Sequence, residues 1–257
     1  MIINLCSQRV LFFVTNQLRY MNMSESQKKT KSPSKKHQPR GLTLLHEDRD
    51  ILVVDKMSGL LTMSNEKVKV NTAYYLLTNY VRKGNPKSRN RIFIVHRLDR
   101  DTSGVIVFAK NENAKRYLQG EWQGFTKKYY AVVHGTLPEK EGVISSYLAE
   151  NRIHRMYSVD DPKKGKLART GYKVLRESKK YSLLEIDLLT GRKNQIRVHF
   201  SEKGCPVAGD KVYGEKEKGI KRLALHAASI TILHPHTKEK MTFEAKVPAY
   251  FNSLVTR

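Results

Sequence analysis

Short runs of apolar and β-branched residues recur along most of the chain, and turn-forming residues separate many of them. Runs of this length and composition are typical of β-strands. The pattern predicts nine strands, at 51–54, 92–95, 105–109, 129–133, 143–147, 171–175, 182–188, 225–233 and 241–245.

Three segments have a helical pattern instead. Residues 72–82 carry apolar side chains at helical spacing after Asn71, a candidate N-cap. Residues 113–122 form a second candidate, and residues 194–203 a third, which ends at Gly204. Strands dominate, and several connections between them are too short for crossover helices. The pattern therefore predicts an α+β fold with a mixed, largely antiparallel sheet and helices placed singly beside it.

The first 40 residues differ from the rest of the chain. Residues 24–40 are polar, basic and proline-containing and have no apolar period, so burial cannot offset their ordering entropy. We expect a disordered basic extension over residues 1–40 and one folded domain over residues 41–257. Residues 1–23 resemble either a targeting presequence or sequence upstream of a misassigned start, and we favour a true start at Met21 or Met23.

The net charge of the chain indicates which class of partner it binds. The chain has 48 Lys and Arg residues against 24 Asp and Glu, a net charge of +24. Residues 1–40 contain eight of the basic residues and one acidic residue, so they carry +7 and the rest carries +17. When a basic surface binds phosphates, counterions are released, and this release favours binding. We therefore expect nucleic acid as the partner. An anionic membrane surface is the second possibility, and a solvated surface without a partner is the third.

Other compositional features exclude some classes. Two cysteines are too few for a disulfide framework, which favours a reducing compartment, and we expect a cytoplasmic protein. The sequence contains neither a C-x-x-C pair nor an H-E-x-x-H motif, so a zinc site is not expected. No apolar run approaches the roughly 20 residues that a transmembrane helix needs.

The densest cluster of charged side chains is HRLDRDTSG, at residues 96–104, between two apolar strands. A loop framed by two buried strands can present a side chain rigidly, although a solvated hairpin tip is the simpler interpretation. Asp99 and Asp101 lie two residues apart and could share a face. Together with Asp55 and Asp210 they would suggest a metal-dependent nuclease.

The loop and its flanking strand, HRLDRDTSGVIVFAKN, resemble the signature of the RluA family of pseudouridine synthases, H-R-L-D-x-x-T-S-G. Three further segments resemble family blocks in the same order. They are DILVVDKMSGLLT, KKYYAVVHG and LLTGRKNQIRVHFSEKGCPVAGDKVYG. The resemblance covers about residues 42–250. It implies the pseudouridine synthase fold, an α+β fold with a catalytic cleft across a central sheet. One position departs from the family pattern, since Asn194 stands where His is usual.

The resemblance also implies a reaction. Pseudouridine formation breaks the N1–C1′ bond of uridine, turns the base over and joins C5 to C1′, and it needs no cofactor. Family membership makes Asp99 the nucleophile or base on the sugar. This carboxylate must stay ionised in a partly desolvated pocket, and the resemblance makes Arg192 its positive partner. The other interpretation of Arg192, taken alone, is an arginine at a helix start that holds phosphate.

Further residues carry over from the family pattern with less detail. Tyr129 matches the active-site tyrosine, whose ring can stack on uracil, and Tyr130 should point to the opposite face of its strand. Arg97 occupies the position that contacts RNA around a flipped base. Arg197 is expected to line the pocket or hold phosphate, and His199 to line the pocket.

The sequence thus predicts a monomeric RNA-modifying isomerase that acts on structured RNA. Ribosomal RNA is favoured over tRNA as the substrate. The alternative is a ribosome-assembly factor that keeps the fold and binds RNA without chemistry.

Overall fold

The structure is a computed structural model that describes residues 38–64, 68–214 and 219–256. Most of the predicted basic extension, residues 1–37, therefore lies outside the described residues.

In the described part of the chain, eleven strands form one sheet. The strands are β1 (Leu42–Glu47), β2 (Ile51–Lys56), β3 (Phe93–Ile94), β4 (Ser103–Ala109), β5 (Thr126–His134), β6 (Glu141–Glu150), β7 (Met156–Val159), β8 (Lys166–Glu177), β9 (Tyr181–Leu188), β10 (Leu225–Leu233) and β11 (Lys240–Glu244). Within the described residues four α-helices accompany them: α1 (Ala73–Arg82), α2 (Glu112–Gly120), α3 (Gln195–Glu202) and α4 (Tyr250–Val255).

The strand order is β1-β2-β4-β10-β5-β9-β8-β6-β7, with β3 paired to β4 and β11 paired to β10. Among the described strand pairs, β4 with β10 is parallel and the others are antiparallel. The predicted α+β class with a mixed, largely antiparallel sheet is confirmed. The connections explain it, because neighbours such as β8 and β9 are joined by turns too short for a crossover.

The nine predicted strands and three predicted helices are all present, and all but β10 have shifted ends. Strands β1 and β7 and helix α4 were not predicted. Strand β1 carries a register shift between Leu44 and His46, and its inward positions include the polar His46 beside Leu42 and Leu44. The N-cap of α1 is Thr72, whose side chain accepts from Tyr75 N at 3.2 Å. The prediction of Asn71 was wrong, since that residue lies one position earlier in a left-handed conformation.

Alternation along β4 divides the core between the two faces of the sheet. Ile106 and Phe108 lie in a cluster that includes Leu77 of α1, whereas Val107 lies in a second cluster with Leu118 of α2. All seven residues of β4 are buried, so this strand is held from both sides. Burying a side chain such as Phe108 contributes about 2–3 kcal/mol. The loop that precedes β4 is consequently attached to a strand that is packed on both faces.

In the part of the chain that the structure describes, no helix is both long and apolar enough to cross a membrane.

Candidate active site

The loop between β3 and β4 carries the charged cluster at residues 96–102, and buried bonds fix it in place. Leu98 is buried, and its backbone N–H and carbonyl both bond to the Thr62 hydroxyl, at 3.2 and 2.8 Å. The Thr102 N–H donates to the Asp99 carbonyl at 3.2 Å and closes a turn. Asp99 therefore projects from a backbone that is bonded on both sides.

Lys56, at the end of β2, also holds the loop between β3 and β4 in place through hydrogen bonds. Its side chain is fully buried, and Nζ donates to the carbonyls of Met57, Leu60 and Arg100 at 3.0, 2.8 and 3.2 Å. Burial lowers the pKa of Lys56 to about 8, although the nearby Asp99 carboxylate favours the charged form. At neutral pH the ammonium group thus connects residues 57–60 to the loop between β3 and β4 through hydrogen bonds.

Gly104 anchors the other end of the loop at the parallel pairing of β4 with β10. Its φ is +115°, and a Cβ at this position would lie 2.1 Å from the Ala227 carbonyl oxygen. A side chain here would strain the backbone and collide with backbone of β10. The close approach of these two strands brings the start of β4 against the middle of the sheet.

Two side chains of α3 contact the Asp99 carboxylate. Asn194 Nδ2 donates to Oδ2 at 2.6 Å, and Arg197 Nη1 donates to the same oxygen at 3.2 Å. Asn194 occupies the N-cap position of α3, and residues three apart lie on the same face of a helix. The helix therefore presents an amide and a guanidinium together to the carboxylate.

Asp210 holds Arg197 from the opposite side. Arg197 donates from Nε and Nη2 to the two oxygens of Asp210, at 2.7 and 2.8 Å. Burial opposes ionisation of Asp210, but the Arg197 hydrogen bonds and charge prevail and keep its pKa below the usual range. Burial likewise disfavours the charged form of Arg197, and the two carboxylates outweigh it and raise its pKa. Arg197 is consequently a fixed positive charge between Asp99 and Asp210.

The predicted ion pair between Asp99 and Arg192 is wrong. Arg192 Nε donates to the Leu167 carbonyl at 3.0 Å, and Arg197 is the arginine that pairs with Asp99. Arg192 precedes α3 and lines the cavity beside Asp99, whereas Arg197 lies within the helix. The spacing of Asn194 and Arg197 was the sequence signal for the correct partner. A catalytic role for Arg192 stays a prediction, as does an RNA contact by Arg197.

Tyr129 faces the same cavity from β5. The ring is buried, and burial raises the pKa of its hydroxyl, with the Asp99 charge acting in the same direction. Tyr130 differs as expected from strand alternation, because its hydroxyl donates to Glu185 at 3.3 Å. Tyr129 is thus a neutral phenol beside the carboxylate over the accessible pH range.

Two cavities meet at Asp99. One has a volume of about 520 Å³ and includes Tyr129, Arg192 and Trp122 in its lining. The other, of about 300 Å³, lies against Met63 and Val212. Asp99, Asn194, Arg197, Arg97 and Leu98 line both. The two cavities together have room for a base on one side of the Asp99 carboxylate and for a second chemical group on the other side.

The histidines near the loop are structural. The His96 ring stacks on Trp122 with centroids 4.2 Å apart, and its Nε2 accepts from Val107 N at 3.0 Å. Burial, with a smaller contribution from Lys127, lowers the pKa of His96 to about 3, so it is neutral. His199 was expected to line the pocket, but it is buried and bonds to Ser146 and Thr170.

Arg97 is exposed where it lines both cavities.

The carboxylates needed for a metal-dependent nuclease are not grouped. Asp210 is engaged by Arg197, and Asp101 pairs with Arg100 on the surface. Among the described residues, one group of three could hold a metal ion, Asp48 with Asp50 and His234, and it does not include Asp99. The geometry around Asp99 consequently resembles an ion-paired single carboxylate.

The chain is similar to known proteins over most of its length. A family model described as RNA pseudouridylate synthase matches residues 50–202. The chain is 37% identical over 217 residues to an uncharacterised RNA pseudouridine synthase, YhcT, of Bacillus subtilis (strain 168), covering 83% of this chain and 71% of that protein. It is 31% identical over 223 residues to the ribosomal large subunit pseudouridine synthase C of Vibrio cholerae serotype O1, covering 83% and 68%.

A solved structure, human RNA pseudouridylate synthase domain containing 4, has the same fold. Its TM-score is 0.66 at 24% identity, covering 81% of this chain and 90% of that one. The matched family residues include the β3–β4 loop, Tyr129, Asn194 and Arg197. The chain is therefore a member of the RluA-type family of RNA pseudouridine synthases, and it is an isomerase.

Proposed function

We propose that this enzyme converts specific uridines of structured RNA, ribosomal RNA foremost, into pseudouridine, and that Asp99 performs the chemistry on a flipped-out nucleotide. The observation that carries the proposal is the placement of Asp99 where the two cavities meet. Arg197 neutralises its charge at 3.2 Å without enclosing it. A carboxylate so placed is paired with a positive charge, partly exposed and open to a ligand.

The reaction balances without an added reagent. The N1–C1′ bond breaks, the C5–C1′ bond forms, the C5 proton leaves and a proton is returned to N1. Asp99 acts on the sugar, either as the nucleophile at C1′ or as a base. The buried Tyr129 ring supplies a surface against which the base can stack while it is turned.

A uridine within a helix is not accessible in place, so the nucleotide must leave the stack. The larger cavity lies beside Asp99 and is wide enough to receive it. The exposed guanidinium of Arg97, at the rim of both cavities, can stack on the bases that the uridine leaves behind.

The choice of ribosomal RNA rests on the relatives. The Vibrio cholerae relative is named a large-subunit synthase, and a 36% identical relative of Nitrosomonas europaea is the ribosomal large subunit pseudouridine synthase D. The body of the chain is also strongly basic without residues 1–40, as binding to a large structured RNA requires. Transfer RNA is the second candidate.

The test compares Asp99→Asn with Asp101→Asn on bulk ribosomal RNA and tRNA in a chelator. Wild type and Asp101→Asn should form pseudouridine, whereas Asp99→Asn should bind RNA within a few-fold and form none. Binding by the wild type without isomerisation would identify a ribosome-assembly factor, and cleavage restored by a divalent metal would identify a nuclease. Pseudouridine maps of a deletion strain and its parent then identify the target uridine.

A further inference from the structure

Asn194 begins α3 in an unusual way. Its backbone is left-handed, with φ 51° and ψ 17°, a conformation that Asn tolerates better than most residues. An Asn at this position ordinarily caps its own helix by accepting from a backbone N–H of the first turn. Here the side chain makes no capping bond and instead reaches Asp99 at 2.6 Å. The helix start is held by Gln195, whose Oε1 accepts from Arg192 N.

A second hydrogen bond orients the amide. The Tyr213 hydroxyl accepts from Met156 N at 3.0 Å, which leaves its proton for Asn194 Oδ1 at 3.4 Å. An ionised carboxylate only accepts, so the edge of Asn194 that faces Asp99 must be its NH₂ group. Both contacts select the same orientation of the amide.

Both donors to Asp99 converge on one oxygen. Asn194 and Arg197 each donate to Oδ2, and no hydrogen bond to Oδ1 occurs among the described residues. We propose that Asn194 is a positioning residue for the isomerisation, which with Arg197 fixes the Asp99 carboxylate by Oδ2 and turns Oδ1 toward the uridine. This inference rests on the proposed role of Asp99.

An amide gives this contact a property that a titrating donor lacks. Asn194 neither gains nor loses a proton, so its hydrogen bond persists wherever Asp99 is ionised. Other charged or titratable groups lie around the carboxylate: Arg197 from α3, Tyr213 after it and Arg192 before it, Lys56 from β2, Tyr129 from β5, and Arg97 and Asp101 from the loop itself. Because the pKa of Lys56 is about 8, the informative window is the acid side, roughly pH 4–7.

The test is the pH profile of kcat and KM on an RNA that the wild type modifies, for Asn194→Ala and Asn194→Asp. A hydrogen bond to a charged group corresponds to roughly 10- to 100-fold, so Asn194→Ala should lose about that factor in kcat with KM changed less than about threefold.

Asn194→Asp should behave oppositely. At neutral pH two carboxylates meet and the loss should exceed that of Asn194→Ala. As the pH falls, a protonated Asp at position 194 can donate its O–H to Asp99. Activity relative to wild type should therefore rise between about pH 7 and 5. A purely structural role for Asn194 would give a loss that does not depend on pH, and that outcome overturns the proposal.

Control variants distinguish failure of the positioning role from unfolding of the variants and from failure of the proposed function. Asn90→Ala removes an exposed loop asparagine and should match the wild type. Tyr213→Phe frees the amide without touching Asp99 and should lower kcat by a smaller factor, which keeps the test decisive if the Asn194 variants unfold. Full kcat in both Asn194→Ala and Tyr213→Phe overturns the positioning role alone. Turnover by Asp99→Asn, measured in parallel, would overturn the proposed function instead.

Discussion

Arg197 and Asp210 form a two-point ion pair directly beneath the catalytic carboxylate. The Nε and Nη2 groups of Arg197 meet the two oxygens of Asp210 at 2.7 and 2.8 Å, and Nη1 is left for Asp99. Asp210 has no exposed side-chain surface, and its Oδ1 also accepts from the N–H groups of Val212 and Tyr213. A planar guanidinium held in this way cannot rotate away from Asp99.

Asp210→Asn should therefore lower both stability and turnover. The amide keeps one acceptor but turns an NH₂ group toward the guanidinium, leaving Arg197 partly unpaired in a buried site. Breaking a buried pair costs about 3–5 kcal/mol in the free energy of unfolding, and loss of Arg197 orientation should reduce kcat at least about tenfold. Urea unfolding and single-turnover kinetics measure the two effects.

The control for this change is Asp187→Asn, because Asp187 lies 3.7 Å from Lys128 on the surface. Exposed pairs contribute about 0–1 kcal/mol, so stability and turnover should both stay near the wild type. An Asp210→Asn enzyme with wild-type kcat would show that Arg197 holds its position without Asp210.

Tyr129 and Tyr130 allow a matched comparison of neighbouring residues on β5. Tyr129→Phe removes a hydroxyl from the cavity, whereas Tyr130→Phe removes one that bonds to Glu185 outside it. If the hydroxyl of Tyr129 takes part in removing the C5 proton, Tyr129→Phe should lower kcat by about 10²- to 10⁴-fold. Tyr130→Phe should leave kcat unchanged. Equal kcat in the two variants would limit Tyr129 to stacking, and a kinetic isotope effect at C5 would show whether proton removal is slowed.

The sheet was predictable because its signal is local. Strands such as β4 and β9 are short apolar runs, and their length and composition identify them. Strand β7 has four residues, of which Met156 is buried and Tyr157 exposed, so it contains too little pattern to recognise. Helix α4 has six residues, and it is held by packing of Phe251 against the core, which no local pattern reports.

The sequence identified candidate residues for the site, but the arginine partner predicted for Asp99 was wrong. Asp99 and Tyr129 follow from motifs, since each motif is a short continuous segment. Which arginine meets Asp99 depends on where α3 begins, and a shift of that start rotates every side chain on the helix. The start of α3 is hard to predict from sequence at Asn194, because the left-handed backbone of this residue sets the direction of the whole helix.

Two buried histidines, His199 and His226, should contribute to acid sensitivity. His199 and His226 are each 1% exposed, and burial lowers the pKa of each from 6.5 to about 4. The unfolded chain takes up protons near pH 6.5 and the folded protein does not until about pH 4, so the free energy of unfolding falls as the pH drops through this window. Each histidine accounts for at most about 3 kcal/mol of that fall.

The check is urea unfolding of the wild type, His199→Gln and His236→Gln between pH 7 and 4. His199→Gln should show a shallower dependence on pH, because a group that takes up a proton only on unfolding is gone. His236 is exposed, so His236→Gln should follow the wild-type curve. Parallel curves for all three proteins would show that His199 does not contribute to acid unfolding.

The basic extension should act on RNA affinity and not on stability. The bonds nearest to the described start are made by Gln38 Oε1, which accepts from Leu44 N, and by the Pro39 carbonyl, which accepts from Leu42 N. A truncated protein should therefore begin at Gln38 and keep both. Residues 1–37 contain seven basic residues and one acidic residue, so the truncation removes a charge of +6. Each lost phosphate contact should make the log–log salt dependence of RNA binding shallower by about 0.7–0.9.

Pseudouridine formation on a short stem-loop and the melting temperature should stay near the wild-type values in this truncated protein. A protein that begins at Met23 is the matched comparison, because it loses only Arg9 and Arg19 among the charged residues. Its salt slope should lie close to that of the full chain, since the lysine-rich stretch after Met23 is retained. An unchanged slope in the shorter protein would show that the extension does not contact RNA, and a large drop in melting temperature would show that it packs on the domain.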